Sequence, residues 1–404
     1  MKLQPTHWIA ITVAASLSGT SAAYADAQDT FNMSAKYMRQ TDSNVFRISS
    51  NVTPQSALGV STKSDTIDIT SIGLTLDKTY SLQEFQLNAN IIDSRYKNFD
   101  YLNFDALNYA GAWNWSLTPR VHGILSADRK QTLNNTIQFV TTNGRNVRTD
   151  TALRFSADAD LGAAVHLIGG IEQVRSTNEL SISQEGDSRV NSASVGLRYV
   201  FPSGNSLSYR MRKGSGDYYN REQDLTQAIP NSFDETEHEL RAAWILTGKT
   251  KLNARLAHFQ RSHPNLAQRD YSGPVGDLSL TWDVTSKVDL TAVAARTLSV
   301  YQTDTSSFIT GNRLALSPVW HATAHTSLRF NYAYLLQDYR GALPGSTLSV
   351  NRQDTTRSSL IALDWSPRQS IVLSLALQNE RRSSNVADSD FKSNGASVSA
   401  QLNF

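Results

Sequence analysis

Apolar and polar residues alternate with period two along most of this chain. Phe85, Leu87, Ala89 and Ile91 are separated by Gln86, Asn88 and Asn90. Leu153, Phe155, Ala157 and Ala159 alternate with Arg154, Ser156, Asp158 and Asp160. Leu278, Leu280, Trp282 and Val284 do the same with Asp277, Ser279, Thr281 and Asp283. Val121, Gly123, Leu125 and Ala127 repeat the pattern with Ile124 as an exception. Such alternation predicts β-strands with one apolar and one polar face. The runs last roughly nine to thirteen residues, the length a tilted strand needs to cross a bilayer. The first strand is expected near Phe31, Met33, Ala35 and Tyr37.

The last strand is the clearest. Ala396, Val398, Ala400, Leu402 and Phe404 are apolar, and Ser397, Ser399, Gln401 and Asn403 lie between them. An apolar face that reaches a terminal aromatic residue suits a strand with lipid on one side and water on the other. It resembles the terminal strand of bacterial outer-membrane barrels. Val398, Leu402 and Phe404 are the expected assembly signal for the barrel assembly machinery.

The connections come in two lengths. Short ones are predicted at 77–79, 117–120, 161–162, 201–204, 247–249, 285–287, 317–318 and 366–367, where Pro, Gly, Ser, Thr or Asp favour tight turns. Long polar ones fall between them, at about 41–65, 94–102, 131–148, 177–188, 213–234, 262–271, 300–307, 338–353 and 382–392. Trp115, Trp282, Trp320 and Trp365 stand beside short turns and, with Trp113, predict an interfacial aromatic girdle. Eight short turns join eight strand pairs, and one strand remains at each end, giving about 18 strands, or 16–18. The predicted fold is an all-β, antiparallel, up-and-down transmembrane β-barrel, with short periplasmic turns and long extracellular loops. A soluble solenoid or lectin-like sandwich explains the strands but not the two loop lengths, the turn-side tryptophans and the terminal Phe together.

Lys2, the apolar run from Trp8 to Leu17, and Ala23-Tyr24-Ala25 predict a signal peptide over 1–25, cleaved before Asp26. Residues 26–404 are then a single barrel domain of the outer membrane. No run of eighteen apolar residues exists, so no transmembrane helix is predicted. Mean hydropathy is −0.37, as expected where only alternate residues face lipid. The absence of cysteine excludes disulfides and thiolate metal sites. A net charge of +2 gives no nucleic-acid footprint. Arginine outnumbers lysine 27 to 11, which suits a wall that hydrogen-bonds hydroxyls and anions.

With the apolar parity facing lipid, the opposite parity lines the lumen. It carries Arg154, Asp158, His166, Glu172 and Arg198, then Arg210, Arg212, Glu239, Arg241 and Arg255, and then Asp277, Asp283, Asp289, Arg329 and Asp364. These charges either orient a hydrated solute through transverse fields or pair with one another to brace the wall. The run 99–104, with Phe99, Tyr101 and Phe104, is expected to form an extracellular girdle, with sugar stacking as the alternative. The loop carrying Tyr218, Tyr219 and Arg221 is a candidate to fold inward. His321 and His325, read as residues of one strand, lie about 13 Å apart by strand rise, too far to share a metal. Asp234, Glu235, Glu237 and Glu239 read as an acidic loop edge. No nucleophile elbow or phosphate loop is present, so no catalysis, metal or cofactor is expected.

Over residues 81–133 the chain resembles the exosortase-associated exopolysaccharide biosynthesis outer-membrane family (EpsL type). The resemblance rests on Phe99-Asp100-Tyr101-Leu102-Asn103-Phe104, Trp113-Asn114-Trp115, Leu117-Thr118-Pro119-Arg120 and Ser126-Ala127-Asp128-Arg129. It implies a barrel serving polysaccharide export, passing or guiding the polymer through a polar lumen. The implied partners are membrane lipid, a polysaccharide chain, and periplasmic and inner-membrane export components. A general diffusion porin and a structural anchor for surface polysaccharide are the alternatives.

Overall fold

The alternation becomes eighteen strands, each antiparallel to the next in the chain. In the computed structural model they are β1 (Phe31–Asp42), β2 (Asp65–Tyr80), β3 (Gln83–Tyr96), β4 (Phe104–Thr118), β5 (Val121–Leu133) and β6 (Val147–Gly162). There follow β7 (Val165–Asn178), β8 (Ser188–Val200), β9 (Ser206–Asp217), β10 (Ser232–Thr247), β11 (Thr250–Ser262) and β12 (Tyr271–Thr285). The last six are β13 (Val288–Val300), β14 (Phe308–Thr323), β15 (Thr326–Arg340), β16 (Gln353–Arg368), β17 (Ile371–Ser384) and β18 (Phe391–Asn403). The structure describes residues 30–134, 144–162, 164–221, 231–264, 267–300, 306–341 and 351–404. The expected signal peptide at 1–25 lies outside them.

β18 pairs back onto β1, from Ser34↔Asn403 to Asp42↔Gly395. The sheet therefore closes, and no strand is left with unpaired edge groups in the membrane. The terminal Phe404 takes part, donating to the Met33 carbonyl at 2.8 Å and accepting from the Met33 amide at 3.1 Å. The strands run 12 to 16 residues, longer than predicted. At about 3.3 Å per residue and a tilt near 40°, fourteen residues rise about 35 Å, past an apolar band of about 25 Å. The alternation weakens where the strands leave lipid, so their outer ends read as loops in the sequence.

Four predicted turns are misplaced, one of them being 161–162, which lies inside β6. The first hairpin turns at Ser81-Leu82, and 77–79 lie inside β2. Pro318 lies inside β14, which turns at Ala324-His325, and Pro367 lies inside β16, which turns at Gln369-Ser370. A proline without an N–H is tolerated where a ladder rung is missing. The β14–β15 ladder passes from Leu316↔Tyr332 to Val319↔Arg329, leaving out Ser317 and Pro318. Pro367 falls in the bulge where the β16–β17 register shifts between Trp365 and Arg368. His321 and His325 are consequently not on one strand: His321 is in β14 and His325 in the turn.

The outer face carries the large apolar residues. Leu278, Leu314, Leu375, Leu377, Val398 and Leu402 are all exposed. Near the short-turn end it becomes aromatic. Trp113 stacks on Phe85 at 5.9 Å, Trp115 on Phe155 at 5.5 Å, and Trp244 contacts Phe201 at 5.3 Å. Trp282, Trp320 and Trp365 are exposed at the same end. Trp115 and Phe155 meet across β5 because the intervening residue is Gly123. A Cβ there would lie 2.5 Å from the Trp115 ring and 1.9 Å from the Ser156 carbonyl.

Candidate functional site

The inner face of a closed sheet is built by the parity left over from the lipid face. Register places all fifteen candidate charges on that face. Ile124, the exception in the sequence pattern, also lies on it, opposite Ser156.

Most of these charges meet on one stretch of wall, β5 to β11. Arg154 on β6 donates to Glu172 on β7 at 2.5 Å and to Asp128 on β5. Asp158 on β6 binds His166 Nδ1 at 2.8 Å and Arg198 from β8. On β10, Glu235, Glu237 and Glu239 lie two residues apart and so share one face. Arginines flank them on both neighbouring strands. Glu239 meets Arg210 at 3.0 Å, Arg241 at 3.1 Å and Arg255 at 2.5 Å. Glu237 meets Arg255 at 2.9 Å and Arg212 at 3.6 Å. Glu235 meets Arg212 at 3.1 Å and Arg261 at 2.5 Å. Five guanidinium groups and three carboxylates thus form one ladder over β9, β10 and β11. Glu239 keeps only 3% of its side chain exposed, while Arg210 and Arg241 keep 27% and 25%. The carboxylates are the buried braces, and the arginines form the more exposed surface of the ladder.

Outside the ladder, Arg329 pairs with Asp364 at 3.0 Å, and Ser374 donates to the same carboxylate at 2.6 Å. Asp289 binds His321 at 3.0 Å. Asp277 and Asp283 make no ion pair among the described residues, and Asp283 stands directly across from Asp289. The acidic loop edge expected at 234–239 is corrected: these residues belong to β10, Asp234 points away from the lumen, and the glutamates are held by arginine. Among the described residues no group of His, Asp and Glu is arranged to hold a metal ion.

Wall residues absent from the prediction include Asp128, Glu235, Glu237, Arg261 and Arg313. The parity of Asp128 and Arg261 was readable from their own strands. Arg313 was obscured because Pro318 reads as the end of its strand. Arg313 makes no ion pair among the described residues, and its cross-strand neighbours are Ala295 and Leu335.

The extracellular mouth is partly filled. The connection after β1 contains a short helix, α1 (Pro54–Leu58), and turns inward. Phe46 and Ile48 pack with Phe99, Leu102, Leu133 and Val147 into a buried cluster. Phe46 meets Phe99 edge-on at 4.8 Å. Phe99 and Leu102 are 2% and 1% exposed, so the run 99–104 forms a core at the mouth and not a girdle. The prediction missed this because nothing local marks a loop as covered by another loop. Arg47 anchors the inward turn at 2.8 Å from both Asp42 and Glu380. Burial works against its charge, but the two carboxylates outweigh that, and its pKa lies above the ordinary arginine value. Tyr218 is buried, with the Arg221 guanidinium 4.0 Å above its ring and Phe233 at 5.1 Å. The remainder of that loop, 222–230, lies outside the described residues.

No family model and no curated protein matches this chain. Solved structures do. The Pseudomonas aeruginosa OccK2 (OpdF) in complex with glucuronate aligns with a TM-score of 0.50 at 12% identity, covering 93% of this chain and 98% of that one. The P. aeruginosa OpdK with vanillate aligns at 0.51 and 10% identity, covering 93% and 99%. At these identities the likeness is one of fold. The closed 18-stranded sheet and this likeness together identify the chain as a β-barrel of the bacterial outer membrane.

Proposed function

We propose that this barrel is a passive channel for small hydrophilic solutes, with a preference for those bearing a carboxylate beside hydroxyls or a ring. The observation that carries the reading is the Arg–Glu ladder on β9, β10 and β11. Each guanidinium has five N–H donors, and the glutamates engage only part of them. Anchored at both neighbours, the arginines present donors at fixed positions and lose little side-chain freedom when a solute arrives. Asp277 and Asp283 on β12 set an opposite charge beside them, a transverse field that orients a dipolar solute. Two fold neighbours were solved with glucuronate and vanillate, both small carboxylates. Passage by diffusion requires no catalytic group.

A second reading, service in exopolysaccharide export, is favoured by the resemblance over 81–133. Vesicle swelling separates the two. Vesicles containing the purified protein are expected to swell in isosmotic glucuronate faster than in a lysine salt of equal size. A failure to admit any small solute, together with polymer trapped in the periplasm on deletion, would replace the diffusion reading with the export one.

A further inference from the structure

At the extracellular rim the outward residues become charged, and in most places their signs alternate. Arg39 on β1 faces Asp68 on β2 at 3.6 Å. Arg95 on β3 bonds Asp93 at 2.7 Å and Asp105 on β4 at 3.0 Å. Arg189 on β8 is directly across from Arg175 on β7, but Asp217 on β9 at 3.4 Å offsets the like charges there. The stretch β16–β18 differs. There Arg357 is directly across from Arg381, and Arg381 is directly across from Lys392. All three are exposed on the outer face, and none makes an ion pair among the described residues. Like charges at directly opposed positions repel, and nothing in this row offsets that.

The row also sits at one height. One pair below it, Ser359, Asn379 and Asn394 are register partners, and the Asn379 amide donates to Asn394 at 2.7 Å. One pair lower the same three strands carry Ile361, Leu377 and Ala396, where the apolar band begins. Eight residues separate Arg357 from Trp365, which stands at the turn end of the same strand. At about 3.3 Å per residue and a tilt near 40°, that is about 20 Å along the barrel axis, close to the apolar band's full height of about 25 Å. The three cations therefore stand at the level where lipid headgroups begin. Tyr334 on β15 is directly across from Arg357, its ring centroid 5.9 Å from the guanidinium, and flanks the row on that side.

We infer that Arg357, Arg381 and Lys392, with the Asn379–Asn394 amide pair below them, form a docking site for the net-anionic phosphate headgroup of an outer-leaflet lipid. The acyl chains would descend over Ile361, Leu377 and Ala396. A phosphate bridging the row converts mutual repulsion into charge-assisted hydrogen bonds.

The test uses the purified full-length barrel in zwitterionic micelles, titrated with phosphatidylglycerol or phosphatidylcholine and followed by native mass spectrometry. Wild type is expected to retain phosphatidylglycerol in preference to phosphatidylcholine. Each cation replaced by Gln (R357Q, R381Q, K392Q) is expected to weaken that retention by roughly fivefold. R95Q, whose charge is held by Asp93 and Asp105, is expected to leave it unchanged. The Gln variants remove repulsion, so their heat stability in lipid-free micelles should equal or exceed wild type, which separates loss of binding from loss of fold. Equal retention by wild type and the triple variant would overturn the inference. So would equal retention of the two lipids, and so would displacement of the lipid by millimolar inorganic phosphate, which would assign the row to a free anion.

Discussion

The residues that decide how this wall behaves are carboxylates, although arginine supplies the surface. Glu239 is the most committed of them, with three guanidinium partners. Replacing it with Gln keeps the shape and removes the charge that holds Arg210, Arg241 and Arg255. The expected result is a shift of ionic selectivity toward anions of at least about twofold in permeability ratio, read from reversal potentials. Replacing Arg255 with Met strips a partner from both Glu237 and Glu239, and is expected to cost about 2 kcal/mol in urea unfolding from vesicles. At the loops, Arg145 hydrogen-bonds Glu179 at 3.0 Å and holds its carboxyl below the usual glutamate range. A carboxyl depressed in the folded state stabilises above its unfolded value, about 4.3, and that contribution is lost as pH falls through the folded value. The Val147 amide, which donates to Glu179 at 3.3 Å, reports it. Its exchange protection should be flat from about pH 7 to 5 and fall below about 4. E179Q should abolish that step.

At the scale of elements, the period-two pattern carried most of the fold. It set the number of strands, the parity of the wall and the aromatic end, because a closed sheet between lipid and water leaves each residue only two environments. It failed where that simplification fails. Pro318 and Pro367 read as turns, and only the missing rung and the bulge explain why strands run through them. Glu235 and Glu237 read as a loop edge, since their neutralising arginines sit on other strands and no local signal announces them. The mouth core of Phe46, Ile48, Phe99 and Leu102 was illegible for the same reason: its partners lie in separate connections. Two expectations belong to this scale. Arginine at Leu280, on the lipid face, should cost about 2–4 kcal/mol or block assembly, whereas arginine at Ser279, on the lumen face, should be tolerated. Gly123→Val should separate Trp115 from Phe155 and slow insertion, seen as a lower folded fraction on a heat-shift gel.

For the whole molecule, closure of β18 onto β1 leaves a wall with no free edge and a lumen lined by paired charges. The first long connection packs inward against β17, where Arg47 reaches Glu380, and against the ends of β5 and β6, where Phe46 and Ile48 share a core with Leu133 and Val147. The most direct measurement of this account is single-channel recording of the purified barrel in a planar bilayer, with millimolar glucuronate added to one side. Discrete ohmic steps are predicted, interrupted by brief glucuronate-dependent closures that become rarer in R210Q/R241Q. A barrel that inserts and stays silent, or conducts with no response to glucuronate in either form, would contradict the account.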